Sequence, residues 1–415
     1  PPLVAAFFAS SPYLQTGPVA MTALLTFGAL KGLGAEPGTT EYVALAALLA
    51  LVVGVVRAVI GLARGGFLAY LMSQPVLIGF TSAAAILITS SQIPTAVGVA
   101  PPDGKILEKL WWTITHMADW DPTAVVLSVA TIALVVGGRK VHRLFPGVLA
   151  AVVVGITYSA LTEYDGLTVG EVPAGLPPFS LDLPWGSLPS LLVSGVVIAL
   201  IGFAEAAAIS RTYAARDRTS WSPDREFVSQ GVANLASGIS GGFPVGGSFS
   251  RSSIDRLAGG KTRWAGAITG LVVLAFLPIA GLLSPLPRAI LGAIVISAVG
   301  RLIKLSPLWT MWSDSKLQAA VLWTTFALTL ILSPRIEIAV IIGIGLGVLI
   351  HLWRETSVGV DASYDGATLH ITPTGVLYFG SAPQLNEVLL EQLEDYPEAT
   401  EVVFHLNSLG RIDYT

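Results

Sequence analysis

Two ionisable side chains sit in apolar surroundings where a charge is expensive. Arg251 closes the run Gly241-Gly242-Phe243-Pro244-Val245-Gly246-Gly247-Ser248-Phe249-Ser250-Arg251, and Glu205 lies inside Ile201-Gly202-Phe203-Ala204-Glu205-Ala206-Ala207-Ala208-Ile209. An intramembrane charge that neither pairs nor faces a polar cavity is unfavourable, so such residues mark paths for ions or substrates. The Arg251 guanidinium offers a fixed positive charge to an anion. The Ser248 and Ser250 hydroxyls, with the backbone N–H groups left bare by Gly246 and Gly247, offer it hydrogen bonds. Plainer roles are open to the same residues: Arg251 in a structural ion pair or snorkelling to an interface, the small residues packing helices closely. Glu205 has two readings, a carboxyl that takes up a proton in poorly solvated surroundings or a permanently ionised partner of Arg251 or Arg57.

The elements that must position these groups are two interrupted apolar segments far apart in the chain. The second is the run ending at Arg251; the first is Ser10-Ser11-Pro12-Tyr13-Leu14-Gln15-Thr16-Gly17-Pro18-Val19-Ala20. Both read as helices that begin inside a membrane, where backbone leaves helical geometry only if protein or a water-lined cavity satisfies it. A pair of such breaks, one per repeat, points to a secondary transporter. Each helix start directs free N–H groups and a positive dipole end at the site, which favours an anion. Pro18 suits a first helical turn and Gly17 a close approach ahead of it; a simple Pro kink is the alternative.

Hydrophobic residues make up 53% of the 415 positions and charged residues 12%, a balance that fits a multispanning membrane protein. The net charge of −4 says nothing about nucleic acid, since the basic residues sit in short separate clusters rather than on one face, and no nucleic-acid partner is expected. Without cysteine there is no disulfide, thiolate nucleophile or zinc-thiolate site. The histidines at 116, 142, 351, 370 and 405 lack ligand spacing, so no metal is expected. Ala258-Gly259-Gly260-Lys261-Thr262 imitates a P-loop, but Asp255 stands where the pattern needs glycine and no strand precedes it. With no nucleophile motif either, neither an enzyme nor a cofactor is expected. The chain opens at Pro1-Pro2 within apolar sequence and stops at Thr415 after a strand-like run, so it reads as a fragment at both ends, with no visible cleavable signal.

Twelve spans are expected, at 17–32, 42–63, 75–95, 122–138, 146–161, 189–212, 224–240, 247–258, 263–283, 286–303, 315–333 and 336–354, the first and eighth being short half-helices. Alternate loops divide the basic residues unequally. One set holds Arg64, the clusters at 139–143, 211–225, 256–263 and 301–316, and Arg354; the other holds only Lys31, Lys105, Lys109, Arg288 and Arg335. The richer set is therefore cytoplasmic, and so is the polar region after Arg354. Trp111, Trp112, Trp120 and Trp185 fall in outer loops and Trp309 and Trp312 in an inner one, as an aromatic belt requires. From about Val358 the pattern becomes a small soluble β-α-β unit, with strands near 368–372, 376–379 and 401–406. Its helix opens with a capping box of Ser381 and Gln384 and carries an apolar face of Leu385, Val388, Leu389 and Leu393.

Four stretches in this order resemble the SulP sulfate permease family, also called solute carrier family 26. They are Gly17-Pro18-Val19-Ala20; Pro75-Val76-Leu77-Ile78-Gly79-Phe80-Thr81-Ser82; Gly247-Ser248-Phe249-Ser250-Arg251-Ser252 followed by Gly259-Gly260-Lys261-Thr262; and Leu377-Tyr378-Phe379. The soluble part is similar to a STAS domain, with Asp413-Tyr414-Thr415 opening a signature loop. The resemblance implies an α-helical polytopic membrane protein of two inverted seven-segment repeats forming core and gate domains, its first two segments absent here, plus a partial α/β STAS domain. The implied division is a transmembrane transport domain at 1–356 and a cytoplasmic STAS domain at 357–415. The implied substrate set is Thr16, Gly17, Pro18 and Val19 with Gly247, Ser248, Phe249, Ser250 and Arg251; Glu205, from its own apolar surroundings, is expected to couple transport to protons. Secondary active transport of sulfate, bicarbonate or dicarboxylate follows as the expectation, by symport with a proton or in its place sodium, in a homodimer of the inner (plasma) membrane. A passive anion channel and a nucleobase permease of related fold are the rivals; Arg251 and the STAS-like tail argue against the latter.

Overall fold

A computed structural model describes residues 1–70, 73–176, 179–303, 305–356, 359–378 and 380–412. Apolar sequence dictates most of it, because a backbone in lipid must satisfy its own hydrogen bonds and a helix does so locally. In chain order the elements are α1 (Pro2–Phe8), β1 (Thr16–Gly17), α2 (Ala20–Lys31), α3 (Thr40–Leu62), α4 (Gln74–Ala96), α5 (Ile106–Thr115), α6 (Pro122–Val141), α7 (Gly147–Thr162), α8 (Leu188–Asp217) and α9 (Pro223–Ile239). There follow β2 (Gly246–Gly247), α10 (Phe249–Leu257), α11 (Trp264–Phe276), α12 (Arg288–Val299), α13 (Leu305–Asp314), α14 (Lys316–Ile331) and α15 (Ile336–Thr356). Among the described residues six stretches are long and apolar enough to cross a membrane: Thr40–Leu62, Gln74–Ala96, Pro122–Val141, Trp185–Asp217, Trp264–Leu283 and Ile336–Arg354. The protein is thus a multi-pass membrane protein. α2, α7, α12 and α14 are shorter apolar helices.

Polar caps mark the helix starts. Thr39 accepts from Tyr42 N, Asp121 from Thr123 N and Ser222 from Arg225 N, and Pro122 and Pro223 occupy first-turn positions that need no N–H. Three helices escaped the sequence reading. α1 is short, and α5 and α13 are amphipathic rather than uniformly apolar, so neither stands out as a span. Trp309 and Trp312 consequently lie on a helix, α13, where a loop was expected.

The centre of the helical part is α3 pressed on α9 and α8. A Cβ at Gly54 of α3 would stand 2.7 Å from Leu235 N, and one at Gly231 of α9 would stand 2.6 Å from Ala58 N, so bare backbones set this contact. Around it Leu48, Leu49, Val53, Ile198, Phe203 and Phe227 are fully buried. On α6, α7 and α11, by contrast, Val126, Val129, Val153, Val154, Ile268 and Leu271 are exposed, forming apolar surface suited to lipid.

The chain divides into two compact units, Pro1–Gly343 and Ile344–Thr415, the division falling within α15. After α15 the second unit contains β3 (Gly359–Tyr364), β4 (Thr368–Leu377), α16 (Ala382–Asp395), β5 (Glu401–Phe404) and β6 (Leu409–Ile412). β3 runs antiparallel to β4; β5 and β6 pair with β4 in parallel, with Thr368 opposite Glu401 and Ile371 opposite Phe404. The order β4-α16-β5 is a β-α-β unit, and Leu385, Val388, Leu389 and Leu393 lie along the partly buried side of α16. The capping box does not form. Ser381 Oγ accepts from Tyr378 N at 3.0 Å and donates to Val376 O at 2.7 Å, closing the turn out of β4 instead of the helix start. Phe379 and Asp413-Tyr414-Thr415 lie outside the described residues.

Candidate functional site

The two broken segments meet. β1 and β2 pair antiparallel, Thr16 opposite Gly247 and Gly17 opposite Gly246, and Ser248 N extends the bridge by donating to Gln15 O at 3.0 Å. Gly247 is needed here: a Cβ would stand 2.7 Å from Leu14 Cδ1 and 3.1 Å from Ala206 Cα of α8. Antiparallel strands are left in opposite directions, so α2 and α10 depart on opposite sides and both N-termini face the bridge. The first amide of α2 to close a helical turn is Ala23 N, on Val19 O at 3.1 Å, which leaves the amides of Ala20, Met21 and Thr22 without a partner inside the helix. In α10, Ser248 caps Arg251 N at 3.4 Å and Ser252 N returns to Ser248 O at 3.0 Å, so Phe249 and Ser250 amides stay open. Positive dipole ends therefore converge on one place.

The helix starts differ from expectation by two or three residues. Gly17 is drawn into the bridge and Val19 stays extended (φ −134°, ψ 145°), so α2 begins at Ala20 and Pro18 does not occupy its first turn. What Pro18 contributes is its carbonyl: Arg251 Nη1 donates to Pro18 O at 2.8 Å. Arg251 Nη2 is buried with no hydrogen-bond partner, and it lies 3.1 Å from where a Cβ of Gly17 would stand. Arg251 therefore neither snorkels nor ends in an ion pair; it crosses from the second broken segment to the first.

Of the other expected residues, Thr16 is buried and its Oγ1 accepts from Gln230 Nε2 at 2.6 Å. Val19 is the N-cap position of α2. Ser250 and Phe249 are exposed, the Phe249 ring lying 6.4 Å from that of Tyr213. Glu205 is partly buried on α8 and makes no direct ion pair with Arg251. Nor does Arg57 pair with it. Arg57 is fully buried and directs its three nitrogens at backbone carbonyls, those of Ala199, Val245 and Ile198 at 3.0, 2.9 and 3.1 Å.

Several residues of the site were missed by sequence reasoning. Asn234 of α9 accepts from Val245 N at 2.9 Å and donates to Val245 O at 3.0 Å, fixing the peptide just ahead of β2. Ser237 Oγ holds Phe243 O at 2.6 Å, Thr22 Oγ1 holds Pro244 O at 3.1 Å, and Gln15 N donates to Ser252 Oγ at 2.9 Å. The signal for the α9 group was present: Gln230, Asn234 and Ser237 recur at helical spacing, so one polar stripe faces the break.

A model of the Sulfate permease family matches residues 1–325. The chain is 32% identical over 383 residues to sulfate transporter 4.1, chloroplastic, of Arabidopsis thaliana, covering 89% of this chain and 56% of that protein. It is 33% identical over 315 residues to a probable sulfate transporter of Mycobacterium tuberculosis, covering 74% and 55%. The chain thus spans about half the length of the curated relatives it matches. Among solved structures, the murine solute carrier 26 family member A9 anion transporter in the inward-facing state superposes with a TM-score of 0.88 at 18% identity, over 99% of this chain and 75% of that one. The transmembrane domain of a cyanobacterium bicarbonate transporter superposes with a TM-score of 0.70 at 23% identity, over 82% and 88%. The fold built around two facing half-helices is therefore that of these transporters, and the chain belongs to the sulfate permease family.

Proposed function

We propose that this protein is a secondary active transporter of small anions of the sulfate, bicarbonate or dicarboxylate class, working by alternating access. The anion would lie between the starts of α2 and α10, held by open backbone amides, Ser248 or Ser250, and the field of Arg251. The observation that carries this reading is the antiparallel bridge of Thr16 and Gly17 with Gly247 and Gly246, which turns two positive helix ends toward one point beside a buried, unpartnered guanidinium nitrogen. A site of open amides and one cation binds modestly, as a carrier that must release its cargo requires. Proton symport through Glu205 belongs to this proposal, as do a homodimer in the plasma membrane and a cytoplasmic STAS domain at 357–415.

Uptake into proteoliposomes tests it. Labelled sulfate, bicarbonate and succinate are offered to the full-length protein and to Arg251→Ala, with and without an imposed proton gradient. Accumulation of one anion above its external concentration, lost in Arg251→Ala, is the expected result. Flux that only dissipates an anion gradient would identify a passive channel instead.

A further inference from the structure

Among the described residues Arg57 is the largest fully buried side chain, and it has no part in the anion contacts proposed above. Its burial is electrostatically demanding. Among the described residues no carboxylate lies within ion-pair distance of it; its guanidinium donates to the carbonyls of Ile198 and Ala199 on α8 and of Val245. The surroundings are shaped to admit it: a Cβ at Gly202 of α8 would stand 2.5 Å from Arg57 Nη2. Carbonyl dipoles compensate the desolvation of a cation without cancelling its charge, so the field of Arg57 remains. An apolar side chain of similar volume would commonly serve stability as well or better at such a position. A retained, uncancelled intramembrane charge calls for a functional reason.

Its place supplies one. Val245 O, the acceptor of Arg57 Nη1, directly precedes Gly246-Gly247-Ser248, the strand and cap that lead into α10. Asn234 clamps the same peptide from the other side, so guanidinium and half-helix entry form one rigid body. From Val245 to Phe249, the first open amide of α10, the chain advances four residues, at most about 13 Å. At that separation and an effective dielectric constant near 20, a unit charge alters anion affinity on the order of tenfold per unit of anion charge.

We infer that Arg57 is a second fixed positive charge of the anion site, a specificity-determining residue that acts through the field behind β2 without touching the substrate. With Arg251 it gives the candidate site a second cation, among the carboxylates of Glu205 on α8, of Asp255 on α10 and of the fully buried Glu226, whose Oε2 accepts from Ser10 N and Ser11 N ahead of β1. This inference rests on the anion-site reading of the preceding section.

The test is equilibrium binding of sulfate and of chloride to the purified full-length protein, with Arg57→Met, which keeps the bulk and removes the charge, and Arg57→Lys, which keeps the charge and loses the fork. A Coulomb effect scales with ligand charge, so Arg57→Met is expected to weaken chloride on the order of tenfold and sulfate by about the square of that factor, with Arg57→Lys within about threefold of the unaltered protein. Equal weakening of both anions in both variants would show that Arg57 only shapes the Val245 turn and would overturn the inference, as would unchanged affinities in Arg57→Met. If the unaltered protein binds neither anion, the anion-site reading itself fails and this inference with it. Should Arg57→Met not fold, Arg57→Gln, which retains amide donors for the carbonyls, carries the same comparison.

Discussion

Arg251 donates from Nη1 to the carbonyl of Pro18 at 2.8 Å, joining side chain to backbone across 233 residues of sequence. The positive charge of the second half-helix is thereby delivered to the mouth of the first. Neither half-helix owns the site; it exists only while the bridge between β1 and β2 holds them together.

The bridge depends on bare backbone. Gly247→Val would drive a side chain into Leu14 and into the backbone of α8 at Ala206, which cannot yield as a flexible chain end would. The expected loss is about 1–3 kcal/mol of stability together with uptake. Thermal melting of the purified protein and proteoliposome flux measure the two.

Asn234 is fully buried and makes both bonds to the Val245 peptide. Asn234→Leu leaves that N–H without an acceptor at a cost of about 1–3 kcal/mol. A drop in melting temperature with loss of uptake is expected; unaltered values for both would show that the Val245 turn holds without this clamp.

Ser248→Ala removes the cap of α10 and with it about 1 kcal/mol, while Ser248→Thr retains an acceptor for Arg251 N. Melting temperatures should therefore rank the unaltered protein and Thr above Ala. Anion affinity should follow the same order, because the cap orients the amides that face the site.

Glu205→Gln is neutral at every pH. If protonation of Glu205 accompanies transport, uptake by this variant becomes independent of an imposed pH step, whereas the unaltered protein accelerates when the outside is acidified. The same pH response in both proteins would eliminate Glu205 as the coupling group.

In the second unit, the Asp365 carboxyl is held below the usual carboxylate range by hydrogen bonds from Thr368 N and Ala367 N and by the His370 ring. A lowered folded value means that its contribution is complete above the ordinary carboxylate range and disappears as pH falls through the folded value. Asp365→Asn should lower the melting temperature of the full-length protein near neutrality and flatten its acid-side dependence. A variant with the unaltered acid profile would show that the turn at 365–368 is not held by charge.

Much of the architecture was legible because lipid imposes a simple rule. Apolar runs of membrane length become helices, and α3, α4, α6, α8 and α15 lie where those runs are, bounded by the threonine, serine, aspartate and proline residues that cap them. The breaks before Ala20 and Phe249 were legible too, since glycine and proline interrupt an apolar pattern that would otherwise continue. The helix starts were misjudged at Gly17 and Gly247 because strand pairing between distant segments, which no local propensity encodes, kept the chain extended and moved the starts by three and by two residues. Ser381 was misassigned for a similar reason: its hydroxyl had competing partners in the turn out of β4, and proximity decided between them.

Residue types alone thus established a membrane-embedded chain with two discontinuous helices and a costly cation at Arg251, because composition and hydropathy are local properties. Tertiary structure alone decided that Thr16 lies beside Gly247, that Arg251 reaches Pro18, and that Gln230, Asn234 and Arg57 stand behind the same break. Those contacts join segments as far as 233 positions apart, and only the close packing of α3, α8 and α9 brings them within hydrogen-bond range.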